Sequence, residues 1–302
     1  MTAKVLLNPY SNRWNARTRW PQAEQALRAV GVDFELAISE GPGDITRLAE
    51  QAAQEGFSPI VAAGGDGTIG EAINGLVRAA GSPDGTLAPF GILPLGTAND
   101  FAEHAMRLPL DLSAAAQVIA AGKTRQIDLG QVNQRYFINN SAVGIEPYIT
   151  LVQNKIGWLK GVPRYLLAAV RGILDGPTWK VEMEWAGGGY CGPVSLVTVC
   201  NGGRSGGVFF MAPHADPADG SLTIVHGYRP SRLGMFQLLP KIMRPGPGSY
   251  VESPGVSEFH SDWLRVRLDR PSPAHADGEI FSTAIQELDY RIFPGRVPVL
   301  SQ

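Results

Sequence analysis

The chain has 302 residues, 44% of them apolar and 18% charged, with a formal net charge of −2. That is the composition of a folded globular protein with material for about two domains, and it excludes a disordered chain. The charge balance offers no general attraction to nucleic acid or to an anionic membrane, so no nucleic-acid partner is expected. The two cysteines, Cys191 and Cys200, read as buried thiols of a reduced compartment rather than as a disulfide framework. Residues 1–14 lack the apolar core of a signal peptide, and no apolar run approaches the roughly 20 residues that span a bilayer. A cytoplasmic protein is expected.

Residues 4–7 read as a strand, ended by the turn-prone Asn8-Pro9-Tyr10-Ser11-Asn12. Residues 21–30 follow as a helix with Ala23, Ala26, Leu27 and Val30 on one face, then residues 34–38 as a second strand. Asp44 can cap a helix carrying Ile45, Leu48, Ala49 and Ala52. The apolar run 58–63 is broken by Gly64-Gly65-Asp66-Gly67-Thr68. Apolar residues then return at Ile69, Ala72, Ile73, Leu76 and Val77, one face of a helix. Residues 89–93 make another strand, opening into Pro94-Leu95-Gly96-Thr97-Ala98-Asn99-Asp100-Phe101. A helix comes next, and Asp111 can cap one more through Ala121. Strands alternating with helices imply a mainly parallel sheet covered on both faces. Ligands bind beyond the carboxyl ends of such strands, so the loops of Asn8, Gly64 and Gly96 should converge on one crevice.

The rhythm changes near residues 122–128. Residues 127–132 and 135–143 look like a strand pair turned at Asn133, and residues 162–174 like a helix. Strand-like stretches follow at 179–185, 194–201, 222–226, 263–268 and 288–293, separated by glycine and proline clusters, with a mobile loop at 244–255. This half reads as an antiparallel, β-rich domain. The domains expected are residues 1–127 and residues 128–302, with the extreme C-terminus free to return to the first.

A glycine-rich strand-to-helix turn suits an anion. Glycines let a ligand approach the backbone, and the turn N–H groups and the helix N-terminus face it together. Gly64, Gly65, Gly67 and Thr68 can thus supply donors to phosphates, with Ile69 and Gly70 continuing the segment. Taken alone, three glycines around one aspartate also fit an ordinary tight turn. The five histidines have no metal-like spacing, and no Gly-x-Ser-x-Gly elbow suggests a hydrolase. Lys155, Trp158, Lys160, Arg164 and Arg171 form a basic and aromatic group that could touch a membrane surface or simply belong to a helix packed on its own domain.

The run GGDGTIGEAINGL, followed about thirty residues later by PLGTANDFA, resembles the diacylglycerol kinase catalytic domain family, which includes sphingosine kinases and bacterial lipid kinases. The resemblance extends over nearly the whole chain. It takes in Asn8-Pro9, Asp128-Leu129-Gly130, residues 139–144, residues 212–220 and His275-Ala276-Asp277-Gly278-Glu279. It implies an α/β nucleotide domain followed by a β-sandwich domain, with the active site in the cleft between them, and an enzyme that uses ATP and magnesium to phosphorylate the hydroxyl of a diacylglycerol-like lipid.

By this resemblance Asn8, Pro9, Tyr10, Ser11, Asn12 and Thr97 line the nucleotide site, and Ser39 stands near a nucleotide-contacting threonine of the family. Asn12 replaces the glycine that usually closes the first loop, and asparagine tolerates positive φ better than most residues. Asp66 and Asp100 belong to an aspartate, water and magnesium network, with Asn99 and Glu71 as further hydrogen-bonding candidates. Asp219, with the carbonyls of Asp216 and Ser221, aligns with a structural magnesium turn; an ordinary Asp-Gly turn before a strand is the alternative. Glu279 aligns with the family's general base, which takes the proton of the acceptor hydroxyl. Two rival readings are a soluble-substrate kinase of NAD-kinase type and a nucleotide-binding regulatory protein that has lost catalysis.

Overall fold

The computed structural model of the chain describes residues 2–12, 14–159 and 161–302, with the side chains of 161 and 162 left aside. The chain divides into two compact units, Met1–Leu129 with Phe293–Gln302, and Gly130–Ile292.

The first unit is built on β1 (Ala3–Leu7), α1 (Asn15–Ala29), β2 (Phe34–Ile38), α2 (Asp44–Gln54), β3 (Ile60–Gly64), α3 (Asp66–Ala80), β4 (Phe90–Pro94) and α4 (Leu112–Ala121). β1 pairs in parallel with both β2 and β3, and β3 pairs in parallel with β4. Every residue of β3 and β4 is buried, as strands covered on both faces must be; this is why 60–64 reads as a continuous apolar run rather than an alternating one. The C-terminal stretch adds a further parallel partner, with Val299 beside Phe90.

The boundaries differ from the sequence reading at informative places. α1 begins at Asn15, so Pro21 lies inside the helix rather than at its start. Asp44 is the first residue of α2 and not its cap, which is Gly43 at φ 80°. Its carboxylate accepts from the Glu40 N–H and pairs with Arg47, and the Glu40 hydrogen bond leads the lowering of its pKa. Asp111 does cap α4, accepting from the Ala114 N–H at 2.9 Å.

β5 (Thr124–Val132) begins in the first unit and ends in the second, where it pairs with β6 (Arg135–Phe137) through a turn at Asn133 with φ 51°. β7 (Asn140–Gly144), α5 (Ile145–Lys155) and α6 (Gly161–Asp175) follow, then β8 (Trp179–Trp185), β9 (Gly188–Val194) and β10 (Leu196–Cys200). A short ribbon of β11 (Arg204–Ser205) and β12 (Phe209–Phe210) leads to β13 (Leu222–Gly227), α7 (Arg232–Ile242) and β14 (Val256–Ser261). The chain ends in two long strands, β15 (Trp263–Ala276) and β16 (Glu279–Leu300), whose tail belongs to the first unit. The order β14-β13-β10-β7-β15-β16 is antiparallel throughout, and β8 also pairs with β15.

The expected class, an α/β unit with a mainly parallel sheet and a β-rich unit, is the one observed. Residues 135–143 are not one strand: β6 stops at Phe137 and β7 starts at Asn140. The stretch 244–255 is anchored rather than loose, because Tyr250 is buried and its hydroxyl donates to the Met211 carbonyl. Cys200 is buried as expected, but Cys191 is exposed on β9.

Candidate active site

In the first unit the loops after β1, β2, β3 and β4 are tied to one another. The Asn8 amide donates to the Thr68 hydroxyl at 3.1 Å, and the Ser11 hydroxyl lies 3.1 Å from the same oxygen. The Tyr10 hydroxyl donates to the Glu40 carbonyl, and the Thr97 hydroxyl donates to the Asn12 side-chain oxygen at 3.0 Å. Pro9 is buried, and Tyr10 meets Trp14 edge to face. Asn12 takes φ 52°, so asparagine fills the left-handed position that glycine would otherwise occupy. Ser39 is buried and donates to the Gly41 carbonyl. The convergence expected of strand-end loops is present.

The glycine turn is tighter than the sequence suggested. β3 ends at Gly64 and α3 already begins at Asp66, so Gly67, Thr68, Ile69 and Gly70 are helical rather than part of a loop. Thr68, Ile69 and Gly70 are buried, and the Thr68 hydroxyl is engaged by Asn8 and Ser11. Gly65 faces Gly96 closely: a Cβ on Gly65 would lie 2.9 Å from the Gly96 Cα, and one on Gly96 would lie 2.3 Å from the Gly65 Cα. Backbone meets backbone there, so neither position accepts a side chain. The Leu95 N–H donates to the Gly64 carbonyl, completing a seam between the two motif loops.

Asp66 is half-buried and does not sit in an exposed loop. Its carboxylate accepts from the Asp100 N–H at 3.2 Å and the Phe101 N–H at 2.9 Å. Asp100 is itself buried at the head of the 101–105 helical turn. Asn99, at φ 51°, clamps its own loop by accepting from the Gly96 N–H and donating to the Gly96 carbonyl. Glu71 accepts from the Gly43 N–H, and its second oxygen is buried without a partner among the described residues.

In the second unit, Glu279 is the exposed first residue of β16. The turn before it is fixed by Asp277, which the sequence reading quoted within the segment 275–279 without giving it a role. Asp277 is 5% exposed at φ 48°, and its carboxylate accepts from the backbone N–H groups of Ile138, Asn139 and Asn140. The signal was available in Asp-Gly, where the aspartate can take positive φ and turn onto backbone donors. Asp277→Ala removes the acceptor of buried N–H groups, and the expected loss of stability is on the order of 3 kcal/mol, read from the denaturation midpoint.

Asn140 joins this turn to a buried carboxylate. Its N–H reaches Asp277, while its side-chain amide donates to Glu146 Oε1 at 3.0 Å. His275 Nε2 lies 3.2 Å from the same oxygen, with Glu146 4% and His275 1% exposed. Burial would raise the Glu146 pKa, but the His275 charge and the hydrogen bonds from His275 and Asn140 carry it below the ordinary carboxylate value. The Ser205 hydroxyl adds to the lowering, yet Oε2 has no partner within hydrogen-bonding distance.

Glu146 also lines an apolar cavity that is open to solvent. Its walls come from α5, α6 and α7, through Ile149, Tyr165, Ala169, Ile173, Leu238 and Ile242 among others. α5 and α7 were missed in the sequence because Pro147 and Pro240 interrupt patterns that packing nonetheless holds as helix.

Asp216 and Asp219 are both exposed in the turn before β13. Asp216 Oδ1 accepts from the Ala218 N–H and Asp219 Oδ1 from the Ser221 N–H. The side chains of Asp216, Asp219 and Ser221 offer oxygen alone, which fits a hard cation such as magnesium. Among the described residues no group of three or more His, Cys, Asp or Glu gathers as a ligand shell.

An α/β unit whose strand-end loops bring a Gly-Gly-Asp-Gly-Thr turn against a Pro-Leu-Gly-Thr loop, followed in the chain by an antiparallel β-rich unit, defines a kinase of two-domain type. Residues 2–132 match the model of the diacylglycerol kinase catalytic domain, and residues 140–301 match that of the YegS C-terminal NAD kinase beta sandwich-like domain. The chain carries a diacylglycerol kinase catalytic domain over residues 2–132 and, over residues 140–301, belongs to the family of the YegS C-terminal NAD kinase beta sandwich-like domain. It is 29% identical over 279 residues to a diacylglycerol kinase of Bacillus subtilis, covering 92% of this chain and 89% of that one. A diacylglycerol kinase of Staphylococcus carnosus is 25% identical over 278 residues, covering 92% and 88%. A crystal structure of a diacylglycerol kinase from Bacillus anthracis matches with a TM-score of 0.74 at 19% identity, over 100% of this chain and 97% of its own. The structural likeness shows the shared fold.

Proposed function

We propose that this chain is an ATP-dependent lipid kinase that transfers the γ-phosphate to the hydroxyl of a diacylglycerol-like lipid. The observation that carries the reading is the apolar cavity of the second unit, whose one buried carboxylate is tied through Asn140 to the turn bearing Glu279. A cavity with such walls suits acyl chains. It is a poor receptor for the polar substrate of a soluble-substrate kinase, which would leave its hydrogen-bonding groups unpaired.

Phosphoryl transfer asks the protein for positioning, charge neutralisation and a base. Backbone donors at Gly64–Gly65 and the N-terminus of α3 receive the nucleotide phosphates, with Asn8, Pro9, Tyr10, Ser11, Asn12, Ser39 and Thr97 forming and supporting the surrounding loops. Asp66 and Asp100 set the relation between the two motif loops. Glu279, exposed at the head of β16, takes the proton of the lipid hydroxyl. Asp219, with the Asp216 and Ser221 carbonyls, would hold a magnesium ion, and Asp66 and Asp100 lie in the part of the first unit where nucleotide-bound magnesium would be received. Magnesium when bound supplies positive charge against carboxylate and phosphate oxygens.

No helix among the described residues is long and apolar enough to cross a membrane. We propose contact with a bilayer surface instead. Trp158 (78% exposed), Leu174 and Leu233 (70% exposed) project from the segment 156–175 and from α7, whose other faces line the cavity. Lys155, Arg164, Arg171, Lys241 and Arg244 flank them, the pattern of an interfacial rather than a spanning contact; Lys160 falls outside the described residues. ATP turnover measured with and without diacylglycerol vesicles separates the readings. Lipid-dependent turnover supports the lipid kinase, lipid-independent turnover on a soluble acceptor supports the NAD-kinase type, and ATP binding without turnover supports a regulatory protein.

A further inference from the structure

The sheet of the first unit ends at β2, which pairs with β1 alone among the described residues. The bonds at its two ends fix which way its backbone faces. The Ala3 N–H donates to the Asp33 carbonyl at 2.9 Å, and the Ser39 N–H donates to the Leu7 carbonyl at 2.9 Å. Backbone groups alternate sides along a strand, so residues 33, 35, 37 and 39 turn theirs to β1, and Phe34, Leu36 and Ile38 turn theirs outward. Such edges are normally guarded by lysine, proline or a bulge. β2 has none of these. Its one charge, Glu35, is drawn back across the sheet to Lys4 at 2.9 Å. On the other face α1 reaches Phe34 through Trp20, with ring centroids 6.1 Å apart, and leaves Leu36 37% and Ile38 52% exposed. β9, an edge of the second unit, is guarded by contrast, with Pro193 in its length.

We infer that β2 pairs antiparallel with β2 of a second copy of this chain, about a two-fold axis at Leu36. The strand fits itself. In that register Leu36 faces Leu36, Phe34 faces Ile38 and Glu35 faces Ala37, so apolar meets apolar and no like charges stand opposite each other. The outward-facing residues of one strand meet those of the other, so each of the three pairs exchanges two N–H to carbonyl bonds. Every outward backbone group of β2 then gains a partner. Moving the axis to Glu35 would set that carboxylate against its own copy, so charge selects the register. This self-match of charge and side-chain size favours a second copy over an unrelated peptide. The two-fold closes the assembly at a dimer and removes an edge that would otherwise template aggregation. One short strand pair is a small interface, so association in the micromolar range is expected.

Sedimentation velocity on the native protein, at chain concentrations from about 1 to about 100 µM, is expected to show monomer giving way to a species of twice the mass. Leu36→Lys and Leu36→Glu each set like charges against each other at the axis and should weaken the dimer about 10-fold or more. Both should fold, because the side chain is exposed and the backbone bonds to β1 come from residues 33, 35, 37 and 39; thermal melting checks this. Ile38→Lys, at the most exposed apolar position of β2, is a second disruption away from the axis. An equimolar mixture of Leu36→Lys and Leu36→Glu sets opposite charges across the axis, and the dimer should return as a heterodimer. A native chain that stays monomeric at the highest concentration overturns the inference, whether or not its edge takes an extended peptide instead. A dimer that the single variants keep, or one that the mixture fails to restore, overturns it as well, by placing the contact away from β2.

Discussion

Glu279→Gln should lower kcat for lipid phosphorylation by about 10²- to 10⁴-fold, the range lost with a general base, and leave ATP affinity unchanged. Glutamine keeps the size and hydrogen-bonding reach of the residue and removes only its basicity. The turn that carries Glu279 is held by its neighbours. Asp277 fixes the turn through the N–H groups of residues 138–140, and the Gly278 N–H faces His275 Nδ1 at 3.3 Å. The variant should therefore fold and melt like the native protein. The proposed phosphate donors belong to the first unit, so a fall in kcat without a change in nucleotide affinity is the signature of a lost transition-state interaction. Native turnover in this variant would place the base elsewhere, with Asp66 the next candidate.

Asp66→Ala should abolish turnover and also destabilise the protein by roughly 1–3 kcal/mol, because the Asp100 and Phe101 N–H groups lose their acceptor. An exposed loop residue would have cost activity alone. Here the carboxylate stands at the first turn of α3, where the helix dipole favours it, and it clamps the head of the 101–105 turn. Asp66→Asn separates the two roles. Its one carbonyl restores part of the clamp, so stability should recover in part while activity stays low. Thermal melting and turnover on the same samples decide this, and near-native turnover of the alanine variant removes Asp66 from the site.

The sequence disclosed the first unit more fully than the second, for physical reasons. Parallel strands buried on both faces write themselves as apolar runs, and helices between them carry a period of 3.6 residues. Gly64, Gly65 and Gly96 announce a close approach that no other residue permits. The sequence could not show that the partner of Gly65 is Gly96, since that pairing exists only once β3 and β4 lie side by side. In the second unit, β15 and β16 were each read as a short segment because Pro271 and Pro273 interrupt β15, where register shifts absorb them, and Pro294 interrupts β16. The pairing of Glu146 with His275 was invisible for another reason. They lie 129 positions apart in sequence and meet as a buried pair only through the packing of β7, α5 and β15. Asp277 differs again: its Asp-Gly dipeptide spoke of a turn, but not of the three N–H groups that the turn receives.

The central claim is transfer of phosphate from ATP to a lipid hydroxyl. Its most direct test incubates the protein with γ-labelled ATP, magnesium and a total lipid extract, then partitions the products between organic solvent and water. The account predicts protein-dependent label in the organic phase, carried by a phosphorylated acylglycerol and lost in Glu279→Gln. Label that stays wholly in water, as inorganic phosphate or a soluble phosphate ester, while the protein binds ATP, would contradict it.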